Sequence, residues 1–253
     1  MKSVRRLVLH VIGFLLLVAQ ASIASAKENV FVFPSQKYPD AFLMTSETLP
    51  QFASVARTID PDLVITARDC GVINSWYRSQ EKEITLCYEY LNDAYSFIEA
   101  RYRNAPPTTQ MLLKLGTFAG VLVHELGHAV IHTHDLPIIG GEEDAADRIA
   151  TIMFLEFAEK KPAEGKVMLV GDLAYKWDRR FNALDKLINA RNLYANEHPL
   201  NEQRVFNIVC LAYGSNPALF LDTAQQLKLP RERAMRCQHE YFETKKAVDQ
   251  FLN

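Results

Sequence analysis

Apolar residues fall at strand-like density only in the first third of the chain, and at helical spacing through most of the remainder. Val30 to Phe33 is a short apolar run that fits a first strand. Leu49, Phe52, Val55, Ala56 and Ile59 share one face of a helix expected over Ser46–Ile59, which stops before Asp60-Pro61. Three β-like runs follow, Leu63–Thr66, Val72–Tyr77 and Glu83–Tyr88, with turns at Cys70-Gly71 and over 78–82. From Leu91 the period changes. Ala94, Tyr95, Ile98 and Tyr102 fit a helix ending near Asn104, before Pro106-Pro107. Thr108-Thr109 is placed to cap a long helix reaching about His132, and Gly140-Gly141 breaks the chain. Glu142 to about Lys160 is again strongly periodic, and further helices are expected over Leu169–Leu193, Leu200–Tyr213, Pro217–Leu227 and Arg231–Leu252. A few early strands and many later helices make an α+β, predominantly helical fold.

The first residues add a compartment. Lys2, Arg5 and Arg6 precede an apolar run from Leu7 to Ala19, and Ala24-Ser25-Ala26 is a small-x-small cleavage site. Residues 1–26 read as a signal peptide, which makes the protein exported, periplasmic or extracellular. No later run is apolar for long enough to span a bilayer, so no stable membrane insertion is expected after signal cleavage. Residues 27–253 show no repeats or long linkers and are read as one domain. The formal net charge is −2 and the basic residues are scattered, which gives nucleic acid no electrostatic support as a partner. Oligomeric state is not legible in the sequence. Four cysteines in an exported chain suggest two disulfides among three pairings. Cys70 with Cys87 and Cys210 with Cys237 is preferred, because each pair closes a short loop.

The chemistry concentrates in VLVHELGHAVIHTHDLPIIGGEEDAADRIA, residues 121–150. His124-Glu125-Leu126-Gly127-His128 is H-E-x-x-H, and residues four apart share a helix face, so both imidazoles can converge on one cation. Glu125 lies about 100° round the helix from His124, near the same opening, where a carboxylate can act as general base toward a water. A core helix with ordinary histidine partners is the competing explanation, and a third ligand decides between the two. Glu143 opens the next helix as E-x-x-x-D with Asp147, and is the favoured third ligand. Asp147, one turn later, is placed to accept a hydrogen bond from a ligand histidine and fix its tautomer. Glu142 and His134 are the alternatives. His134 stands ten residues after His124, the metzincin spacing, but the glycine that pattern needs is replaced by Ile131. His132, at the helix end, reads as a rim residue.

HELGH followed by E-x-x-A-D resembles the gluzincin metallopeptidases, including thermolysin-like enzymes and compact minimal gluzincins. CGVINSWY, ITLCYEYL, EHPLNEQRVFNIVC and RCQHEYF are similar to segments of a bacterial exported metallopeptidase family, a likeness covering most of residues 45–245. The resemblance implies a zincin-like fold with a small N-terminal sheet, an active-site helix and a C-terminal helical part. It implies Zn²⁺ held by His124, His128 and Glu143, with Glu125 as general base. His198-Pro199 followed by Arg204 further resembles the H-P-x-x-x-x-R segment of membrane-embedded gluzincins. That likeness implies that His198 or Arg204 stabilises an oxyanion, with Glu197 orienting the imidazole. The plainer alternative makes His198 a helix cap and Arg204 the partner of an acidic neighbour on the surface.

The expectation is therefore a zinc-dependent peptidase acting on a peptide or protein substrate, with Ile84–Tyr88 as the sheet edge that receives it. Tyr77, Tyr88 and Tyr213 are hydroxyl donors to look for near the cleft. The alternative is a catalytically silent zinc-binding exported domain that recognises a protein or cell-envelope partner; an intact Glu125 argues against it.

Overall fold

The computed structural model describes residues 29–179 and 200–252. The signal-peptide reading of residues 1–26, the candidates Glu197 and His198, and the part beyond residue 179 of the helix expected over Leu169–Leu193 lie outside the described residues; the described part of that helix starts earlier, at Pro162. In chain order the elements are strand β1 (Val30–Val32), helix α1 (Pro39–Thr48), a 3₁₀ turn (Leu49–Phe52), α2 (Ala53–Ile59) and strands β2 (Val64–Arg68), β3 (Ser75–Arg78) and β4 (Glu83–Cys87). Helices α3 (Tyr88–Arg101), α4 (Pro107–Thr133), α5 (Glu142–Lys160), α6 (Pro162–Asp178), α7 (Asn201–Ser215), α8 (Pro217–Gln226) and α9 (Arg231–Leu252) follow. The fold is α+β and predominantly helical. No helix among the described residues is long and apolar enough to cross a membrane.

The strands form one sheet in the order β1-β2-β4-β3. β2 is parallel to both β1 and β4, and β3 runs antiparallel to β4 with Ser75 opposite Leu86 and Tyr77 opposite Ile84. The expectation that Ile84–Tyr88 is the free edge is therefore corrected: β4 is paired on both sides, and β3 is the edge strand. The reason lies in burial. Ile84 and Leu86 are sealed in the core with Ile65 and Ala67 of β2, whereas β3 grows steadily more exposed from the buried Ser75 to Arg78. Val72 and Ile73, expected in a strand, instead form an exposed loop ahead of β3. Gly71 turns that loop at φ +78°. The buried Glu89 carboxylate pins it by accepting the N–H groups of Cys70 at 2.9 Å and Gly71 at 2.7 Å, and the Cys70–Cys87 disulfide ties it to β4. The second disulfide, Cys210–Cys237, links α7 to α9.

Two helix boundaries also differ from the pattern. The single helix expected over Ser46–Ile59 starts earlier, at Pro39, and is broken by the 3₁₀ turn at Pro50, which lacks the N–H to continue an α-helix. α4 begins at Pro107 with no side-chain cap, so Thr108-Thr109 lies inside the helix. Proline in the first turn loses no hydrogen bond and needs no capping hydroxyl.

α4 is the axis of the molecule. Every residue from Gly116 to Ile131 is buried, so this helix is enclosed on all sides rather than amphipathic. Two glycines make that possible. A Cβ on Gly116 would lie 1.9 Å from the Met168 carbonyl oxygen of α6, and one on Gly127 would lie 2.7 Å from the Ala146 carbonyl oxygen of α5. Neighbouring helices therefore approach α4 at backbone distance, and the approach at Gly127 brings α5 alongside both motif histidines.

Candidate metal centre

His124, Glu125 and His128 project from the buried middle of α4. The two imidazoles lie 4.9 Å apart between ring centres and nearly perpendicular, at 87°. Ala146 rests on Gly127, and Glu143 and Asp147 flank it on α5, one turn apart. Glu143 then meets both histidines: Oε2 lies 3.2 Å from His124 Nε2, and Oε1 lies 3.3 Å from His128 Nε2. One donor atom from each of the three residues falls within a 4.8 Å cluster that could hold a metal ion. Two imidazoles and a carboxylate are donor types that zinc takes, and each Nε2 stands from a Glu143 oxygen at about the 3.3 Å that separates ligand atoms on a tetrahedral ion with bonds of about 2.0–2.1 Å.

The remaining ring nitrogens are held by carboxylates. His124 Nδ1 lies 2.9 Å from Asp147 Oδ1. Arg204 of α7 grips that carboxylate at both oxygens, Nε to Oδ2 and a terminal nitrogen to Oδ1, each at 2.7 Å. The same guanidinium passes 3.4 Å from His124 Nδ1, but it has only N–H donors, so the Nδ1 hydrogen goes to Asp147. His128 Nδ1 lies 2.7 Å from Glu142 Oε1, and His132 Nε2 reaches the same oxygen at 3.1 Å. Each imidazole thus has its Nδ1–H anchored and its Nε2 lone pair aimed at a shared point, which is how outer carboxylates orient metal-binding histidines.

The electrostatics follow from this packing. Burial disfavours the charge on Asp147, but Arg204 and the His124 hydrogen bond outweigh it and hold the carboxyl well below the usual range. Burial likewise works against Glu143, yet its two histidine contacts pull its pKa far down. Without an ion, burial tends to keep His128 neutral, but the hydrogen bonds to Glu143 and Glu142 prevail and push it up to about 9. Glu125 is only 5% exposed. Burial pushes its carboxyl up, against a smaller downward pull from the histidines, the direction that improves a general base near neutral pH.

Glu125 and His124 stand where two cavities meet along β3. One, of about 450 Å³, is lined by Trp76, Tyr77, His128, His132, Glu142 and Glu143. The other, of about 360 Å³, lies toward Ile73–Ser75 and is lined by Tyr90, Tyr175, Lys176, Arg179, Asn201 and Arg204. Together they form a cleft with the edge strand on one side and the metal-binding cluster at its centre.

Of the residues singled out in the sequence, the structure brings together His124, Glu125, His128, Glu143, Asp147 and Arg204. His134 is the C-terminal cap of α4 and is exposed; the chain turns just after it, at Asp135 with φ 48°. His132 stands on the rim. Tyr77 lines the cleft, whereas the buried Tyr88 donates its hydroxyl to the Phe33 carbonyl at 2.7 Å, and Tyr213 lines neither cavity. Sequence reasoning weighed Glu142 only as a ligand and missed its grip on His128. The available signal was its place at the start of α5, directly before Glu143. Tyr90 and Lys176 were missed as cleft residues: Tyr90 lies within ITLCYEYL but nothing there singles it out, and Lys176 belongs to no motif.

Two imidazoles, a carboxylate from a second helix and a buried glutamate between two cavities are the equipment of a metal-dependent peptidase. The chain belongs to the DUF4344 family, described as "Putative metallopeptidase", whose model matches residues 34–252. Comparison with curated proteins and with solved structures gave no significant match.

Proposed function

We propose that the protein is a zinc-dependent peptidase of an exported compartment, with His124, His128 and Glu143 as the metal ligands. The observation that carries this reading is the convergence of two Nε2 atoms on the two oxygens of Glu143, each imidazole being fixed behind by its own carboxylate. A zinc ion held there supplies Lewis acidity, bringing the pKa of a water toward neutrality and polarising a scissile carbonyl. Glu125 takes the proton of the attacking water on its carboxylate and later delivers it to the leaving amine. Asp147 and Glu142 keep the imidazoles in the ligating tautomer, and Arg204 keeps Asp147 ionised and in place. The free edge of β3 offers backbone N–H and C=O groups to an extended peptide or protein substrate, which joins as an added strand across Glu125. His198 is proposed to stabilise the oxyanion, with Glu197 orienting it; both lie outside the described residues. The two disulfides support export, in line with the signal peptide read in residues 1–26.

The test is metal content and hydrolysis measured side by side. Wild type should carry one zinc per chain, Glu143→Ala should lose or weaken it, and His134→Ala should keep it. Glu125→Gln should keep zinc and abolish cleavage of a peptide library. Wild type that refolds in excess zinc and binds none would overturn the metal assignment. Zinc bound without cleavage of any peptide would leave a silent zinc-binding domain.

A further inference from the structure

Lys176 of α6 is a charged residue that the proposed chemistry does not use, although it is only 8% exposed and lines the cavity beside Glu125. It is paired with Asp172, one turn back on the same helix. α4 makes room for that pair, because a Cβ on Gly120, one turn before His124, would lie 2.1 Å from Asp172 Oδ1. A buried ion pair of this kind adds no more stability than apolar residues of the same volume. Its position next to the reacting centre calls for another explanation.

The lining of the cavity supplies one. Among the described residues Glu125 is the one carboxylate that lines it, against three cations, Lys176, Arg179 and Arg204, with the Asn201 amide beside them. The counter-ions stand behind the wall. Asp147 and Asp172 line a separate small void between α4, α5, α6 and α7, with Lys176 as the wall shared by void and cavity, and Arg179 is paired with Asp93, which lines neither space. The cavity therefore shows positive charge and N–H donors, fixed in place by carboxylates that do not reach into it. It lies at the Ser75 end of β3, whereas the Trp76–Tyr77 cavity lies toward the Arg78 end. A strand added antiparallel to β3, the pairing that is the more stable per residue, places its C-terminal half at the Ser75 end.

We infer that this cavity is a subsite for a substrate carboxylate on the C-terminal side of the cut bond, with Lys176 as its principal contact and Arg179 at its rim. The inference rests on the peptidase reading for its position in the cleft, but binding tests it separately. The carboxylate can come from an Asp or Glu side chain or from the free end of the peptide.

Zinc-loaded Glu125→Gln protein is titrated calorimetrically with blocked octapeptides differing only by Glu against Gln, and with unblocked peptides as free acid against amide. Zinc-loaded wild type receives the same peptides, with products read by mass spectrometry. The carboxylate member of a pair should bind about tenfold or more tightly, and cuts should fall N-terminal to it. A Glu preference in amidated peptides identifies the side chain, and a preference for the free acid identifies the terminus. Because Lys176→Met alone leaves Asp172 as an unpaired buried charge, the selectivity is also read in Lys176→Met with Asp172→Asn, and in Arg179→Gln on the half-exposed rim. Selectivity should collapse toward unity in the double variant and fall in Arg179→Gln. Equal binding of the pairs, no peptide binding, or cuts placed C-terminal to the carboxylate would overturn the subsite, and the peptidase reading would survive wherever wild type still cuts. Carboxylate-selective binding that collapses in the double variant, without any cleavage, would keep the carboxylate site but overturn both its place relative to a cut bond and the peptidase reading.

Discussion

Arg204 and Asp147 stand 57 residues apart in sequence and face each other through two parallel hydrogen bonds of 2.7 Å, with Asp147 buried and Arg204 largely enclosed. Through Asp147, α7 reaches His124 and fixes one proposed ligand of a cluster built otherwise from α4 and α5. Replacing Arg204 by Met removes the cation and leaves the carboxylate buried. The expected loss is about 3–5 kcal/mol of folding stability and about 10–100-fold in zinc affinity. Chemical denaturation and competitive zinc titration measure the two. Adding Asp147→Leu should restore stability by removing the stranded charge but should not restore zinc affinity. Recovery of both would show that Asp147 does nothing for His124.

Gly127 sets the spacing between α4 and α5. In Gly127→Ala the new methyl lies 2.7 Å from the Ala146 carbonyl oxygen, a backbone atom that cannot rotate away. α5 must move outward, carrying Glu143 and Asp147 from the histidines. The expected cost is about 1–3 kcal/mol in stability, accompanied by weaker zinc binding. Unchanged zinc affinity would mean that the helices can separate without disturbing the cluster.

Zinc affinity should depend on pH in a window set by His128. Its pKa is raised to about 9 in the metal-free protein, because its hydrogen bonds to Glu143 and Glu142 outweigh the opposing effect of burial. A raised histidine pKa contributes stability that is fully present below the unfolded value of about 6.5 and is lost as pH rises through 9. Since only the neutral imidazole binds metal, zinc must displace that proton. Affinity should therefore climb by about tenfold per unit as pH rises toward 9 for the His128 proton alone. The climb is steeper where His124 must also lose a proton: burial opposes its charge, but its hydrogen bonds to Asp147 and Glu143 prevail and raise its pKa. The metal-free protein loses stability between pH 6.5 and 9. Glu142→Gln should narrow the window from above. Isothermal titration in buffers of different ionisation enthalpy counts the proton released.

The carboxylates give the opposite sign at low pH. Asp147 and Glu143 have depressed pKa values, so their contribution is complete above about pH 4 and is lost as pH falls below the ordinary carboxylate range. Metal-free Asp147→Asn should show a flatter acid limb in a plot of unfolding free energy against pH. An unchanged limb would place the acid sensitivity elsewhere.

The two disulfides should act in different places. Cys210 and Cys237 are 27 residues apart and Cys70 and Cys87 are 17 apart, for which loop closure gives about 3.5 and about 3 kcal/mol. Cys210→Ser with Cys237→Ser loosens α9 from α7 and should lower the melting temperature with little change in zinc binding. Cys70→Ser with Cys87→Ser frees the loop leading into β3, and should also weaken peptide binding at the edge strand. Equal effects on peptide binding would remove β3 from the substrate site.

The sequence by itself determined what depends on local repetition. H-E-x-x-H put His124 and His128 on one face because residues four apart in a helix lie above one another. The Gly140-Gly141 break followed by E-x-x-x-D marked α5 and gave Glu143 and Asp147 the same one-turn spacing. Short loop closure favoured the two cysteine pairs that the structure contains. Tertiary structure alone decided what depends on elements meeting from afar. β4 became an inner strand and β3 the edge because the sheet places β4 beside β2, an order that alternating polarity cannot encode. Glu142 became the partner of His128, and His134 was left outside, through the path of the turn at Asp135. Arg204 found Asp147 through the packing of α7 against α5, and Lys176 came to line the cleft through the packing of α6 against the glycine-lined face of α4. Periodicity tells which face of a helix is buried; it does not tell what will be packed against it.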